Sequence, residues 1–291
     1  MIYISVIIPH FNSYDSLVRL LESIGESKFI EVIVVDDGSS DTRIDSVGSI
    51  YKNIKLLYNE GSNGAGKCRN IGLEHATYDW VLFADADDVL EDGWYGNIES
   101  SCNNIDSNIV FFPPLSKYSD GKPAKRHVTY DKLVKRYLEN GDLSLLYWFH
   151  VPWSKLYKRK FIDINKLRFS EHIVSNDVLF SLKSSLSCEG NIKVSDLPIY
   201  CVIDKPGTLT KDISLDRVEV RLEVLRDYNN ILSSNGIKEY TIPEIVLARK
   251  IYSSSKCRFF CTIIDGFKRP LCFFGRSSYY IKKLCLYFYK V

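Results

Sequence analysis

The sequence lacks the long apolar runs that indicate a membrane-spanning helix. None of its apolar runs approaches the ~20 residues that a membrane-spanning helix requires. The N-terminal segment MIYISVIIPHFN has neither a basic leader nor a small-residue cleavage site, so we expect no secretory signal peptide. The formal net charge is only +2, and the overall charge balance therefore indicates no particular class of partner.

Cysteine and histidine follow neither a disulfide pattern nor a metal-binding pattern. The eight cysteines are scattered, and several lie in apolar segments, where a free thiol behaves as a small hydrophobic group. Cys257 and Cys261 lie one helical turn apart, but no second ligand pair follows them, so we expect no zinc site. These features predict a reduced, cytoplasmic protein. The sequence also lacks internal repeats and low-complexity segments.

The first third of the chain alternates strand-like and helix-like segments. Continuous apolar runs predict the strands YISVIIP, EVIVVDD, IKLLYNE and DWVLFAD. Between them, helices are predicted in SYDSLVRLLESIGES, SSDTRIDSVGSIY and AGKCRNIGLEHA. Alternation at this spacing predicts an α/β fold with a mainly parallel sheet that is covered by helices on both faces.

The pattern is looser in the rest of the chain. We predict helices in GWYGNIESSC, DKLVKRYLEN, VPWSKLYKRKFI and SNDVLFSLKSSLS, and strands in NIVFFPP and KVSDLPIYCVI. The polar segment SKYSDGKPAKR is predicted to be a loop, and the chain after about residue 213 is predicted to be mostly helical. The expected organisation is a catalytic domain over 1–212 and a helical C-terminal region over 213–291.

The C-terminal segment is rich in basic and aromatic residues and poor in acids. Between Lys256 and Lys290 the only acid is Asp265, whereas basic residues recur among many Phe and Tyr residues. This composition favours contact with an anionic membrane surface. A tail that packs its aromatics on its own domain remains an alternative. Single-stranded nucleic acid is a weaker one, because nothing upstream resembles a nucleic-acid-binding module.

Two acidic clusters follow predicted strands. Asp36 and Asp37 come after VIVV, at the end of a parallel strand where α/β sheets bind ligands, and could accept hydrogen bonds from a base or a ribose. A turn followed by a helix cap at Gly38–Ser40 would account for the same residues without a ligand.

The second cluster, Asp85-Ala86-Asp87-Asp88, follows WVLF, and in an extended segment Asp85 and Asp87 point to the same side. Because such carboxylates repel one another, we favour a bound Mg²⁺ or Mn²⁺ over a solvated turn.

The stretch Gly61 to Lys67 matches Gly-x-x-x-x-Gly-Lys, but Cys68 occupies the position where a P-loop requires Ser or Thr. We therefore interpret Gly61–Gly66 as a flexible loop and Arg69 as the useful cation, able to reach a diphosphate or to hold an acid. Asn176-Asp177 starts a predicted helix, and taken alone it is equally well explained as a helix start.

These pieces together resemble family 2 glycosyltransferases, which have the GT-A fold. The matching blocks are SVIIPHFN, VIVVDDGSSD, NGAGKCRNIGL and FADADD, with PWSKLYKRKFI and SNDVLFS resembling acceptor-side signatures of bacterial O-antigen and capsule enzymes. The resemblance covers about Tyr3 to Thr210. Many members of the family have Glu-Asp where this chain has Asn176-Asp177.

The resemblance implies a role for each matching residue. Asp177 is the implied catalytic base, Asp87 the metal ligand, and Asp85 the ribose-side member of the DxD motif, which also contacts the metal. Trp153 and Asn176 are implied on the acceptor side. The nucleotide and donor sugar are implied to contact Pro9, His10, Phe11, Asn12, Asp36, Asp37, Gly66, Arg69, Asp85, Ala86 and Asp88.

The implied reaction is inverting, metal-dependent transfer of a sugar from a UDP-sugar to a hydroxyl of a lipid-linked oligosaccharide, at the inner face of the cell membrane. Mn²⁺ or Mg²⁺ is the implied cofactor, and no nucleic-acid partner is implied. Three alternatives stay open at this point: a P-loop phosphotransferase, a nucleotidyltransferase, and an inactive fold that binds a membrane surface.

Overall fold

The computed structural model describes residues 1–61, 64–102, 106–204, 214–247 and 262. The chain divides into two compact units, Met1–Pro206 and Gly207–Val291. The first unit contains every strand among the described residues. The second unit contains the described part of the helical C-terminal region.

The first unit is built on a seven-stranded sheet with the order β3-β2-β1-β4-β8-β6-β9 among the described residues. Strands β1 to β4 are parallel, whereas β8 runs antiparallel to both β4 and β6. A smaller sheet has the order β5-β10-β7. The strands are β1 (Ile4–His10), β2 (Ile30–Asp36), β3 (Ile54–Tyr58), β4 (Trp80–Phe83), β5 (Val89–Leu90), β6 (Ile109–Phe111), β7 (Leu115–Tyr118), β8 (Lys155–Lys158), β9 (Ile192–Val194) and β10 (Tyr200–Asp204).

Helices follow most of the strands of the large sheet. A short 3₁₀ segment, Thr42–Ser46, precedes the second helix. The helices of the first unit are α1 (Tyr14–Ile24), α2 (Val47–Ile50), α3 (Ala65–His75), α4 (Trp94–Cys102), α5 (Val128–Asn140), α6 (Ser144–Trp148), α7 (Arg159–Ile164) and α8 (Val178–Ser187).

Alternating side chains of the central strands supply two hydrophobic cores, one on each face of the sheet. On β1, Ile4, Val6 and Ile8 join one core, which also contains the apolar face of α1. Ile7 of the same strand joins the other core, where α3 contributes Cys68 and Leu73. Burial on both faces explains why these strands are almost continuously apolar in the sequence.

The structure corrects three of the predicted elements. VPWSKLYKRKFI is not one helix, because Lys155–Lys158 forms the antiparallel strand β8 and only Arg159–Ile164 is helical. The segment predicted to be a polar loop begins with the last three residues of β7, which pairs with β10. Gly66 does not lie in a loop, since α3 begins at Ala65.

The described part of the second unit is mainly α9 (Leu215–Ser234), followed by a 3₁₀ segment, Lys238–Tyr240. Asn229 joins the helix to the following chain, because its side-chain amide exchanges hydrogen bonds of 2.8 and 2.9 Å with the backbone of Ile242. None of the described helices is long and apolar enough to cross a membrane. The basic and aromatic segment from Lys256 to Lys290 lies outside the described residues, except for Thr262.

Helix α3 packs against β1 through a glycine. A Cβ atom added at Gly72 would clash with Cγ2 of Ile7, whose side chain is fully buried. The close approach of the helix to the sheet therefore depends on the absence of a side chain at this position.

We expect Gly72→Ala to lower the free energy of unfolding by about 1–3 kcal/mol, because a packed core tolerates an added methyl group poorly. Denaturant unfolding measures the change. Gly96→Ala is the matched control: Gly96 lies on α4 with no atom within 4 Å of an added Cβ. It should be neutral or stabilise by up to about 1 kcal/mol. Equal effects of the two substitutions would contradict the packing explanation.

Candidate active site

The predicted site residues converge at one edge of the large sheet. Strands β1, β2 and β4 are parallel, with His10 beside Asp36 and Ile7 beside Phe83 in the pairing register. The carboxyl ends of these strands therefore meet, and the two acidic clusters follow β2 and β4 at that edge. Open α/β sheets bind their ligands at such an edge.

Asp36 and His10 are buried and bind one another. Nδ1 of His10 lies 2.8 Å from Oδ1 of Asp36, and Nε2 accepts a hydrogen bond from the backbone of Ser13 at 3.2 Å, so Nδ1 carries the proton. Asp36 also accepts from the Ser39 hydroxyl, and from the backbone N–H groups of Gly38 and Ser39. Burial opposes ionisation, but the hydrogen bonds from Ser39 and His10 prevail and hold the pKa of Asp36 below its ordinary value.

A second set of hydrogen bonds joins the loops that follow β1 and β2. Asn12 has a left-handed backbone (φ 45°), and its side-chain oxygen accepts from the backbone N–H of Ser40 at 2.9 Å. Its own N–H donates to the Ser39 hydroxyl at 2.8 Å. Phe11, in contrast, is 55% exposed. In the segment implied to contact the nucleotide, the ring of Phe11 is thus exposed, whereas His10 and Asn12 hold the loops together.

Asp37 is 8% exposed and connects β2 to the start of α3. One carboxylate oxygen accepts from the Asn59 side chain at 2.6 Å, and the other accepts from the backbone N–H of Gly64 at 2.9 Å. This carboxylate thus links the residue that follows β3 to the residue that precedes α3. Recognition of a base or a ribose by Asp37 stays a prediction.

Arg69 connects the acidic turn after β4 to the chain before α8. Its guanidinium donates to Oδ1 of Asp85 at 2.6 Å and to the side-chain oxygen of Asn176 at 2.9 Å. It also lies 5.3 Å from the ring centre of Phe169. The residue is only 5% exposed, and its Nε is buried without a hydrogen-bond partner among the described residues. Asp85 and Asn176 therefore belong to one site.

Gly66 allows α3 to lie directly against the segment that leads into α8. An added Cβ at Gly66 would clash with the carbonyl oxygen of Ser170 and would reach 3.0 Å from Cβ of Asn176. The same segment is held by Asn70, whose side-chain amide exchanges hydrogen bonds of 3.0 and 2.9 Å with the backbone of Phe169. Gly66 is thus required for packing inside the site.

The P-loop alternative does not fit this geometry. Lys67 forms an ion pair with Glu171 at 3.2 Å. Cys68 is fully buried in the core, and burial raises the pKa of its thiol to about 12. A neutral buried thiol cannot take the place of the hydroxyl that a P-loop places on its metal.

Asp88 is buried and connects the acidic turn to the small sheet. Its two oxygens accept from the Tyr200 hydroxyl and from the backbone N–H of Ile203, both at 2.8 Å. Tyr200 also accepts from the backbone N–H of Asp85 at 2.9 Å. Burial, followed by the charges of Asp87 and Asp85, raises the pKa of Asp88 well above its ordinary value. Both oxygens of Asp88 are thus bonded within the protein, and contact with a donor sugar stays a prediction.

Asp85 and Asp87 are the acids of the turn that remain half-buried, and buried Ala86 separates them. Within the described ranges, no cluster of three or more His, Cys, Asp or Glu residues could hold a metal ion. Two carboxylates nevertheless suit a hard divalent cation that completes its coordination with phosphate oxygens and water. The residues present therefore fit Mg²⁺ or Mn²⁺ bound together with a diphosphate.

Asp177 occupies the N-cap position of α8, but its carboxylate makes no capping hydrogen bond. The alternative explanation of Asp177 as a helix cap therefore fails for its side chain. Burial raises the pKa of Asp177, and the charge of Arg69 opposes the rise. Asn176 is 8% exposed and donates to the carbonyl of His172 at 3.3 Å in addition to its bond with Arg69.

Trp153 lies in the core, with 2% of its surface exposed. Its ring is parallel to that of Tyr200, with 5.3 Å between the ring centres, and it packs edge-on against Tyr130 and Phe149. The structure gives this ring a packing role, and direct contact with an acceptor stays a prediction. Because the hydroxyl of Tyr200 bonds to Asp85 and Asp88, Trp153 supports the acidic turn indirectly, through its contact with the Tyr200 ring.

Sequence reasoning missed the role of Tyr200 and the burial of Lys155. The one available signal for Tyr200 was a hydroxyl in an apolar strand, where a buried tyrosine needs a hydrogen-bond partner. For Lys155 the strand itself was missed, so that its side chain was not expected in the core.

Comparisons with known proteins identify relatives of this arrangement. Residues 5–164 match the family model described as glycosyl transferase family 2. The uncharacterized glycosyltransferase YibD of Escherichia coli (strain K12) is 26% identical over 189 residues, covering 61% of this chain and 55% of YibD. The succinoglycan biosynthesis protein ExoO of Rhizobium meliloti (strain 1021) is 21% identical over 278 residues, covering 91% of this chain and 78% of ExoO.

A third relative has a known structure. The poly(ribitol-phosphate) beta-N-acetylglucosaminyltransferase TarS of Staphylococcus aureus (strain Mu50) is 26% identical over 215 residues, covering 71% of this chain and 36% of TarS. The crystal structure of TarS 1–349 in complex with UDP-GlcNAc superposes with a TM-score of 0.65 at 24% identity, covering 93% of this chain and 78% of that one. This chain thus spans about half the length of YibD and about a third of TarS. The predicted GT-A fold is confirmed.

We expect Tyr200→Phe to lower the free energy of unfolding by about 1–3 kcal/mol, because it leaves buried Asp88 and the N–H of Asp85 without their partner. Thermal or denaturant unfolding measures the loss. Tyr118→Phe is the control, since Tyr118 lies in the same small sheet and is 45% exposed. A Tyr200→Phe protein as stable as the control variant would show that the hydroxyl does not hold the turn.

Proposed function

Because the chain belongs to glycosyl transferase family 2, we propose that it transfers a sugar from a UDP-sugar to a hydroxyl of an oligosaccharide acceptor, with inversion at the anomeric carbon. ExoO is named for succinoglycan biosynthesis, and TarS binds UDP-GlcNAc in its crystal structure. These relatives support a UDP-hexose or its N-acetylated form as the donor and a surface polysaccharide as the product.

The bond network of Arg69 is the observation that carries the proposal. One guanidinium contacts Asp85, on the predicted donor side, and Asn176, the neighbour of the predicted base. A displacement reaction requires donor and base to face the same reacting carbon. The network supports such an arrangement, because Asp85 and the start of α8 are held within the reach of one side chain.

Asp177 has the properties of a general base for this reaction. Its carboxylate makes no capping bond, and burial raises its pKa toward the range in which a carboxylate accepts a proton efficiently. In the proposed step the acceptor hydroxyl gives its proton to Asp177 while its oxygen forms a bond to the anomeric carbon. The bond from that carbon to the diphosphate breaks, and the electron pair leaves with UDP.

Other residues of the site bind and orient the substrates. The exposed ring of Phe11 can stack on a base, and the loops that carry it are held by His10 and Asn12. Asp85 and Asp87 would hold Mn²⁺ or Mg²⁺. When bound, the cation supplies stabilisation for the negative charge that develops on the leaving diphosphate.

We further propose that the acceptor is lipid-linked and that the protein acts at the inner face of the cell membrane as a peripheral protein. The support is compositional: the segment from Lys256 to Lys290 combines many basic and aromatic residues with one acid. Such a segment would keep the enzyme near an acceptor that is anchored in the bilayer.

A panel of UDP-sugars with Mn²⁺ or Mg²⁺ in a thermal-shift assay tests the donor, because a ligand that binds the folded state raises the unfolding temperature. We expect UDP-hexoses or their N-acetylated forms to raise it. The absence of stabilisation by every UDP compound with either ion would contradict the proposal.

Asp177→Asn should reduce the rate of UDP release about 10²–10⁴-fold while it leaves donor binding intact, because it removes the base and not the donor contacts. In the parent protein, the rate should fall as the pH drops through the raised pKa of Asp177, above the ordinary value of about 3.9. A UDP-release assay with the stabilising UDP-sugar measures both. Asp163→Asn, at an exposed acid of α7, is the matched control.

Asp87→Asn should instead weaken the binding of UDP with Mn²⁺ at least about tenfold, because it removes one of the two carboxylates available to the cation. Calorimetric titration with and without the metal measures the loss. Asp92→Asn, at an exposed acid after the same turn, should bind as the parent protein does. Binding of UDP that is equally tight with and without divalent ions would exclude metal dependence.

A further inference from the structure

Lys155 is a lysine in the hydrophobic core. It is the first residue of β8 and is 1% exposed, and its strand neighbours Leu156 and Tyr157 are fully buried. Lysine is rarely buried unless something compensates for the lost hydration of its charge. The burial of this ammonium group therefore requires contacts that compensate for its lost hydration.

Dipoles and aromatic rings surround this ammonium group. Nζ donates to the carbonyl oxygen of Phe149 at 2.6 Å and to the hydroxyl of Ser181 at 3.4 Å. It also lies 5.2 Å from the ring centre of Phe111 and 4.8 Å from that of Phe149. Among the described residues, the contacts of Nζ are thus a carbonyl, a hydroxyl and two rings, and none of these contacts is an ion pair. These contacts favour a cation that is held by the core but not neutralised by it.

The contact with Ser181 connects Lys155 to the start of α8. Ser181 lies in the first turns of that helix, and its backbone N–H donates to the carbonyl of Asp177 at 2.9 Å. Its hydroxyl donates to the carbonyl of His150 at 2.6 Å and accepts from Lys155. The lysine therefore joins the chain before β8 to the helical turn that presents Asp177.

We propose that Lys155 is a positioning residue for the base: it fixes the start of α8 through Phe149 and Ser181, and its buried positive charge holds the carboxylate of Asp177 in the ionised form. The inference rests on the proposed function, because it assigns Lys155 a role toward the proposed base. Lys155 itself touches neither substrate in this assignment.

The electrostatic effects of the two groups agree with this geometry. Burial lowers the pKa of Lys155 to about 7, and the negative charge of Asp177 opposes the fall. Burial raises the pKa of Asp177, and the positive charges of Arg69 and Lys155 oppose the rise. Each group thus favours the charged form of the other.

Other charged and titratable groups also face the pair. Asp177 is faced by Arg69 from α3, by Asp85 from the turn after β4, by Tyr130 from α5, and by Lys155 and Tyr157 from β8. Lys155 is faced in addition by His150 and Cys188. Arg69 is already bonded to Asp85 at 2.6 Å, so that Lys155 is the cation whose charge a mutation can remove without breaking the donor side.

Lys155→Met and Lys155→Gln test the proposal in the full-length protein. Methionine removes both the charge and the hydrogen bond to Phe149, whereas glutamine removes the charge and keeps a donor. The acid limb is the part of the pH–rate profile in which the UDP-release rate falls as the pH drops. In both variants the midpoint of this limb should rise by about 0.5–1 pH unit, which lowers the rate at a given pH on the limb about three- to tenfold. The KM for the UDP-sugar should stay within about twofold of the parent value, because Lys155 contacts no donor-side residue.

Lys158→Met is the matched control, since Lys158 lies on the same strand and pairs with exposed Asp106 at 2.7 Å. It should leave the acid limb in place. A folded Lys155 variant whose acid limb coincides with that of the parent protein would overturn the proposal. A purely structural role would lower the rate at every pH without moving the limb.

A second measurement needs neither enzymatic activity nor a variant of Lys155. In the parent protein labelled with ¹³C-aspartate, the Asp177 carboxyl resonance can be assigned by its loss in Asp177→Asn and followed through a pH titration. We expect two steps, one from Asp177 itself and one near neutral pH, as Lys155 loses its proton. A single step would overturn the coupling, whether or not the protein transfers sugars. Two steps without UDP release would instead count against the proposed function alone.

Discussion

The arrangement of the site depends on the buried guanidinium of Arg69. Two of its nitrogens hold groups that are far apart in the sequence, Asp85 after a central strand and Asn176 before a helix. Arginine suits this position because its planar fork can donate to two partners at once, which a lysine cannot do with the same geometry. Close packing of α3 at Gly66 brings the guanidinium within reach of both.

Three aspartates of the site differ in the hydrogen bonds that their carboxylates make. Asp36 is satisfied by hydrogen bonds from His10 and Ser39 and forms part of the loop structure. Asp88 is bonded to Tyr200 and Ile203 and attaches the acidic turn to the small sheet. The carboxylate of Asp177, in contrast, makes no capping hydrogen bond with α8. The fold thus uses Asp36 and Asp88 for its own hydrogen bonds, whereas the proposed base does not cap its own helix.

The sequence predicts the sheet edge well but not the partners of its acids. Strands β1, β2 and β4 are apolar on both faces, so their parallel order and the location of Asp36 and Asp85 at their ends follow from the pattern alone. The partner of Asp88 could not be predicted, because Tyr200 lies 112 residues from it and nothing local indicates their contact. The prediction of a helix at β8 was wrong because a strand of only four residues is too short to show a clear two-residue alternation. The helical spacing of the apolar residues around it then dominates the pattern.

The bond between Asp88 and Tyr200 has a consequence for the order in which the protein is built on the ribosome. The acids after β4 are synthesised early, but β10, which donates two hydrogen bonds to Asp88, is made more than a hundred residues later. Until that strand emerges, three carboxylates repel one another in an unfinished turn. Asp88 therefore acquires its two hydrogen-bond partners only after nearly the whole first unit has been synthesised.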